Sequence, residues 1–193
     1  MTLWDDPKVR SLQAKLSAAQ AELRAALSEI ASGEVQDYQF ATVGGEVRLS
    51  DLFAGKRDLI VMHNMGVACP NCTMVTDGFN GLYPHVRDRA AFVVTSPDPP
   101  EVQAAFAKAR GWRMPLVSHV GTTFARDMGF LKEDGRYRPG VSAFRKEPDR
   151  IVRVSATDFH AETDFCAVWR LLDLLPEGRA GWRPRLAYDD RTG

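Results

Sequence analysis

The chain has 193 residues, and its 25 Lys+Arg balance 25 Asp+Glu, so the formal net charge is zero. With 45% hydrophobic and 26% charged residues, it has the composition of a globular protein long enough for one good core. Balanced charge argues against a dedicated nucleic-acid binder, which needs a surplus of Lys and Arg to neutralise phosphates. The longest apolar runs, Leu59–Met62 and Ala90–Val94, fall far short of a membrane span. The opening Met-Thr-Leu-Trp-Asp-Asp-Pro lacks the basic, apolar, small-residue order of a secretory signal. A cytoplasmic protein is therefore expected, with neither nucleic acid nor membrane as partner.

Residues 7–32 predict one long helix. Asp6 is placed to cap it, Pro7 suits the first helical position, and Gly33 is placed to end it in the left-handed conformation. Val9, Leu12, Leu16, Ala19, Leu23, Ala26 and Ile30 form a heptad seam, expected on another helix or on the domain's flank. A dimerisation arm is the alternative, and a homodimer is the assembly it would give.

From Tyr38 onward, strands and helices alternate. Gly44-Gly45 predicts a hairpin turn between Tyr38–Val43 and Glu46–Leu49, and Ser50 is placed to cap a short helix closed by Gly55. Leu59–Met62 is an unbroken apolar run, as in a strand buried on both faces. A helix from about Pro70 to Arg87 and a second buried strand, Ala91–Thr95, follow it. A further helix over Glu101–Arg110 should turn Val102, Ala105, Phe106 and Ala109 inward and stop at Gly111. Leu116–Val120 predicts a short strand and Thr122–Met128 a short helix. Val141–Lys146 and Arg150–Ser155 predict a hairpin. The last helix, Thr163–Leu175, should bury Phe165, Val168, Trp169, Leu172 and Leu175. The tail beyond Glu177 is rich in Gly, Arg and Pro, either disordered or laid as an arm on a surface. This order predicts an α/β fold with a mixed central sheet flanked by helices. The expected domains are an N-terminal helical arm (1–35), the sheet domain (36–178) and a C-terminal tail (179–193).

Of the three cysteines, Cys69 and Cys72 form Cys69-Pro70-Asn71-Cys72 between a buried strand and a helix. A thiol at a helix N-terminus faces unpaired N–H groups and the positive end of the macrodipole, which favour the thiolate. The second thiol lies one turn away, where it can resolve a mixed disulfide, so Cys69 reads as attacker and Cys72 as resolver. Two other readings stay open: a pair of small core residues, or half of a zinc site. Zinc needs four ligands, and the other candidates, Cys166, His63, His85, His119 and His160, form no second clustered pair. Cys166 is expected to be an inert core thiol.

The element order and the Cys-x-x-Cys placement resemble the thioredoxin-like superfamily. More narrowly, the chain resembles the bacterial thioredoxin-like family known as domain of unknown function 899. The resembling residues are Leu52-Phe53-Ala-Gly55, His63-x-Met65, the Cys-Pro-Asn-Cys72 segment and Asp77-Gly-Phe-Asn-Gly81. Gly111-Trp112, Pro115, Val117-Ser118, Pro139-Gly-Val-Ser-Ala-Phe144 and Leu172-Leu-Asp-Leu-Leu-Pro-Glu-Gly-Arg179 extend the match over about residues 36–185. The resemblance implies a thioredoxin-like fold with a cis-proline opposite the cysteines, at Pro139, leaving the Arg138 backbone available to a bound peptide or mixed disulfide; the alternative is an ordinary trans-proline that starts a strand. It also puts His63 where thioredoxins place a buried acid that moves protons for the resolving thiol, work an imidazole can do; the other reading of His63 is a hydrogen-bonded core histidine.

The expected function is a thiol–disulfide oxidoreductase acting on a partner protein or small thiol, with no cofactor and no metal. The first alternative is a peroxiredoxin-like peroxidase, with Arg126 or Arg138 beside the thiolate. Its Pro-x-x-x-Thr-x-x-Cys frame is absent: Cys69 stands in place of the Thr if Cys72 attacks, and Gly66 if Cys69 does. The second alternative is a non-catalytic binding module using the heptad helix and aromatic tail, which substitution of both cysteines would separate from either enzyme.

Overall fold

In the computed structural model, which describes residues 2–159 and 164–188, the apolar run Leu59–Met62 lies within β4 (Asp58–His63) near the middle of one sheet. β5 (Ala91–Ser96) pairs parallel with β4, and β6 (Leu116–Ser118) pairs parallel with β5. The crossovers are α2 (Pro70–Arg89) and α3 (Pro100–Arg110), as parallel pairing requires. β7 (Gly140–Lys146) lies antiparallel on the other side of β4, β8 (Ile151–Asp158) returns beside it, and β1 (Gly33–Val35) forms that edge. The hairpin of β2 (Gln39–Thr42) and β3 (Gly45–Arg48) extends the far edge, giving the eight-stranded order β1-β8-β7-β4-β5-β6-β2-β3. This is the mixed α/β sheet that the alternation implied.

Strand alternation sends successive residues of β4 into different cores. Leu59 and Val61 join Phe40, Phe53, Phe124 and Phe144 on one face, with α4 (Phe124–Asp127). Ile60 and Met62 join Val75, Phe92, Val94 and Trp169 on the other, with α2 and α5 (Ala167–Leu172). α2 and α3 are clasped by Asp77, whose carboxylate accepts from Arg110 Nε at 2.9 Å and Trp112 Nε1 at 2.7 Å. Asn80 extends the clasp, donating to the Gly111 carbonyl at 3.0 Å and accepting from the Arg113 N–H at 2.9 Å.

Several local expectations give way to tertiary contacts. α1 (Pro7–Ala31) is capped by Asp6 as expected, but Ser32 leaves it in extended conformation and Gly33 begins β1, paired with Arg153. α1 does lie on the domain's flank, against β8, where Ser28 Oγ donates to the Val154 carbonyl at 2.9 Å. The face turned there carries the half-buried Val9, Gln20 and Leu27, while Leu12, Leu16, Leu23 and Ile30 of the seam stay exposed. Residues 49–55 form consecutive turns, not a helix, because the Ser50 N–H and hydroxyl bond Asp37. The hairpin turn is Val43-Gly44, one residue earlier than expected. In α3, Gln103 and Ala107 are buried while Val102, Ala105 and Ala109 are exposed. Gln103 turns inward because its amide bonds Ser96 Oγ at 2.7 Å and the Val117 carbonyl at 3.1 Å. α5 is shorter than expected and buries Trp169, with Phe165 and Leu175 exposed, and Thr163 lies outside the described residues.

At Gly140, a Cβ would strike Phe130 Cε1 and the Thr157 carbonyl and approach Asp158 Cα within 2.9 Å. Glycine there lets Phe130 lie flat under the end of β4. Gly140→Ala is therefore expected to cost about 1–3 kcal/mol through overpacking, read as a lower urea midpoint with unchanged slope.

Candidate active site

The dithiol sits where the chain leaves β4. The Asn64 N–H still donates to the Thr95 carbonyl at 2.8 Å, then Asn64 Oδ1 accepts from Gly66 N–H at 2.8 Å and reverses the chain. Gly66 has φ +117°, and a Cβ there would lie 3.2 Å from Asp98 Oδ1. Asp98 Oδ2 accepts from the Val67 N–H at 3.0 Å and from Ser96 Oγ at 2.8 Å, so the loop after β5 holds the loop after β4. Asn64 and Asp98 thus position the site, although neither belongs to the Cys-x-x-Cys segment that marks it in the sequence. Thr76 braces the first turn of α2, donating to the Cys72 carbonyl at 2.7 Å and accepting from Asn64 Nδ2 at 3.2 Å.

Cys69 is the N-cap of α2, and its sulfur accepts the Cys72 N–H at 3.1 Å. The two sulfurs are 2.7 Å apart; Cys69 is half-buried, and Cys72 is 1% exposed. The Cys72 thiol, more than burial opposes, brings the Cys69 pKa down from 9.0 to about 7, with the Cys72 and Asn71 N–H groups adding to the effect. Cys72 moves the opposite way: it donates to the Cys69 sulfur, is buried, and would place a second negative charge beside the first. The geometry yields one thiolate and one retained proton in contact.

His63 does not join them, which corrects the expected proton-relay role. Its ring stacks on Phe130 with centroids 3.7 Å apart, and Nε2 lies 2.9 Å from Ser142 Oγ, on the sheet face that carries Val61. α2 packs against the face that carries Met62, so one residue of strand parity separates the imidazole from the thiols. Burial holds the His63 pKa well below its usual 6.5. His119, bonded through Nδ1 to Thr95 Oγ1 at 3.0 Å, is brought by burial to about 4. Among the described residues, His63 Nδ1 and His119 Nε2 have no hydrogen-bond partner.

Pro139 does reach the site, where it lines a cavity of about 540 Å³ together with Cys72. Its peptide bond is trans, because no cis bond occurs among the described residues, which corrects the expected cis-proline. Trans is the isomer the amide itself prefers. The Arg138 N–H is already given to the Phe130 carbonyl at 2.8 Å and is not available to a bound peptide. Arg138 pairs with Asp158 at 3.4 Å, and Arg126 is exposed on α4, against the opposite sheet face. Neither arginine is among the groups that set the ionisation of Cys69. Cys166 is a buried thiol just ahead of α5, its pKa raised by burial. His160 and residues 189–193 lie outside the described residues. Residues 177–188 take the arm alternative: Trp182 packs edge-on against Trp169 at 5.9 Å, and the Leu186 carbonyl accepts from Arg110 Nη1 at 2.9 Å. No three His, Cys, Asp or Glu side chains converge as a metal would need among the described residues, and no helix there is long and apolar enough to cross a membrane.

A mixed sheet with the Cys-x-x-Cys at the start of its first crossover helix defines a thioredoxin-fold protein, and its structural relatives are peroxiredoxins. Peroxidoxin BcpB from Mycobacterium tuberculosis matches with 25% identity and a TM-score of 0.57, over 71% of this chain and 89% of that one. A PrxQ mutant from Xylella fastidiosa matches with 17% identity and TM-score 0.56, over 66% and 84% of the two chains. A peroxiredoxin-like protein from Aquifex aeolicus matches with 15% identity and TM-score 0.53, over 66% and 75%. No curated protein matches the chain. The chain belongs to the family described as bacterial protein of unknown function, DUF899, whose pattern matches residues 10–188.

Two measurements test the electrostatics. The rate of Cys69 alkylation against pH should show a midpoint near 7; Cys72→Ala should move that midpoint upward, and Cys72→Ser, which keeps a donor, should move it less. For the histidines, the folded state refuses protons that the unfolded state binds below 6.5. Stability is therefore undiminished above 6.5 and falls as pH drops from there towards about 4. His119→Gln should flatten that fall in urea midpoints taken across the window.

Proposed function

We propose that the protein is a thiol–disulfide oxidoreductase cycling Cys69 and Cys72 between dithiol and disulfide. The observation that carries this reading is the Cys69 sulfur at the N-cap of α2, 2.7 Å from Cys72 Sγ, with the two thiol pKa values driven apart. The Cys69 thiolate attacks one sulfur of a partner protein's or small molecule's disulfide, whose S–S bond breaks and whose other sulfur leaves as a thiolate. Cys72 then attacks the Cys69 sulfur and gives up its proton, and the second thiol departs. Starting from the Cys69 thiolate, the protein loses two electrons and the Cys72 proton, and the substrate takes up both electrons and leaves as one thiolate and one thiol. The dithiol does this without a cofactor, and a reducing compartment such as the cytoplasm suits it.

A second reading, a thiol peroxidase, draws on the likeness to the mycobacterial peroxidoxin. The Cys69 thiolate would attack the terminal oxygen of a hydroperoxide, whose O–O bond breaks and whose other half leaves as an alcohol, and Cys72 would condense with the resulting sulfenic acid and release water. The oxidoreductase ranks first because, among the described residues, no arginine is one of the groups that set the ionisation of Cys69, and the peroxidase frame is missing.

The test is equilibration in graded thiol/disulfide buffers, with intact mass read after alkylation of free thiols. One two-electron transition mapped to Cys69–Cys72 is expected, with Cys72→Ser accumulating a mixed disulfide on Cys69. Two free thiols across the whole range would overturn the reading. Faster oxidation by hydroperoxide than by any disulfide, passing through a one-oxygen adduct on Cys69 in Cys72→Ser, would replace it with the peroxidase.

A further inference from the structure

α1 carries an apolar face that the domain does not cover. Its 25 residues span about 37 Å, and the positions half-buried against the domain are Val9, Gln20 and Leu27. Beside them, Leu12, Leu16, Leu23 and Ile30 are each more than half exposed, with Ala19 and Ala26 exposed between. That spacing is the seam of a coiled coil, and an exposed apolar row of this length marks an interface. The charges along one border of the seam say what covers it. Lys8, Lys15, Glu22 and Glu29 recur every seventh residue, each directly ahead of a seam residue. The first half of the border is therefore basic and the second half acidic. None of the four has an opposite charge three or four positions away on the helix, and none forms an ion pair among the described residues. A partner must set an acidic stretch beside the basic half and a basic stretch beside the acidic half. A second α1 running the other way does so. The opposite border, Gln13, Gln20 and Leu27, is uncharged and partly turned to the domain, so a parallel pairing, which sets one border against the other, would match no charges.

We propose that the exposed seam of α1 binds a second copy of this chain, with the two helices antiparallel. In the register that matches the charges, Lys8 faces the partner's Glu29 and Lys15 faces the partner's Glu22. Two-fold symmetry makes each pair twice. The same register sets Leu12 against the partner's Leu23 and Leu16 against the partner's Ala19. A large side chain thus meets a small one at the centre, where the helices approach closely. Ile30, 82% exposed, then reaches the turn ahead of the partner's helix, where Leu3 and Trp4 of each chain are exposed. The register that satisfies the charges is also the one that fills the seam. This assembly is independent of the reaction that Cys69 and Cys72 perform.

Sedimentation equilibrium of the full chain at low ionic strength should show a mass that rises with concentration towards twice the 21.4 kDa of one chain. Two charge variants then read the register. Lys8→Glu, Lys15→Glu makes the border acidic throughout, and Glu22→Lys, Glu29→Lys makes it basic throughout. Neither change opposes the helix dipole, so α1 itself is not weakened. Each variant alone should dimerise at least about tenfold more weakly than the parent, a difference that added salt shrinks. Their equimolar mixture restores every Lys–Glu pair and should regain the parent's affinity. For orientation, Leu12→Cys and Leu23→Cys are each made in the Cys69→Ser, Cys72→Ser background and oxidised. Their mixture should crosslink, and neither protein should crosslink to itself. A mass of one chain at every concentration, or charge variants that associate as the parent does, would overturn the interface. Leu12→Cys crosslinking to itself, with no mixed product, would overturn the antiparallel arrangement.

Discussion

The Cys72 N–H given to the Cys69 sulfur is the contact on which the site depends. The first backbone donors of a helix have no partner within the helix, and here a sulfur takes the place of the usual hydroxyl or carboxylate cap. That one choice satisfies a helix end, stabilises a thiolate and fixes the spacing of the two sulfurs. It holds because the loop that delivers Cys69 is itself pinned from two directions, by Asn64 from β4 and by Asp98 from the turn after β5. Gly66 is required between them, since its backbone passes against the Asp98 carboxylate in a conformation that side chains disfavour.

The sheet then divides the chemistry between its faces. The thiols, their cavity and α2 occupy one side; His63, His119 and the aromatic cluster of Phe124 and Phe130 occupy the other. Two neutral imidazoles buried in an apolar core make the fold less stable in acid, and they stand on the sheet face away from the dithiol. Among the described residues, neither a histidine nor a carboxylate lines the cavity beside Cys72. The groups that set the ionisation of Cys69 are, among the described residues, the Cys72 thiol and the N–H groups of Cys72 and Asn71.

Two of the stretches that carry the family resemblance form one mechanical unit. Asp77 and Asn80, from one stretch of the pattern, bond Gly111, Trp112 and Arg113 in or beside another. Arg110 joins the same clasp and reaches on to the Leu186 carbonyl, so the helix that carries the dithiol, its neighbour and the arm are tied together. This explains how a pattern spread over much of the chain marks the family without naming a reaction: part of it holds the frame in which the thiols stand.

The sequence by itself determined most of the elements and the place of the cysteine pair. Buried parallel strands read as unbroken apolar runs, and a Cys-x-x-Cys between such a strand and a helix admits few placements, so Leu59–Met62, Ala91–Thr95 and Cys69–Cys72 were legible from residue order. Those signals are local, and each lies within a few residues of what it predicts. What tertiary structure decided was everything that turns on which side a side chain faces. His63 was one residue of strand parity from the thiols, Gln103 turned inward for the sake of two distant acceptors, and Gly33 served a strand partner more than a hundred residues away in place of the helix it follows. The arm's place over the cavity rests on Trp182 meeting Trp169 and Arg110 meeting Leu186, contacts between distant segments that no local pattern encodes.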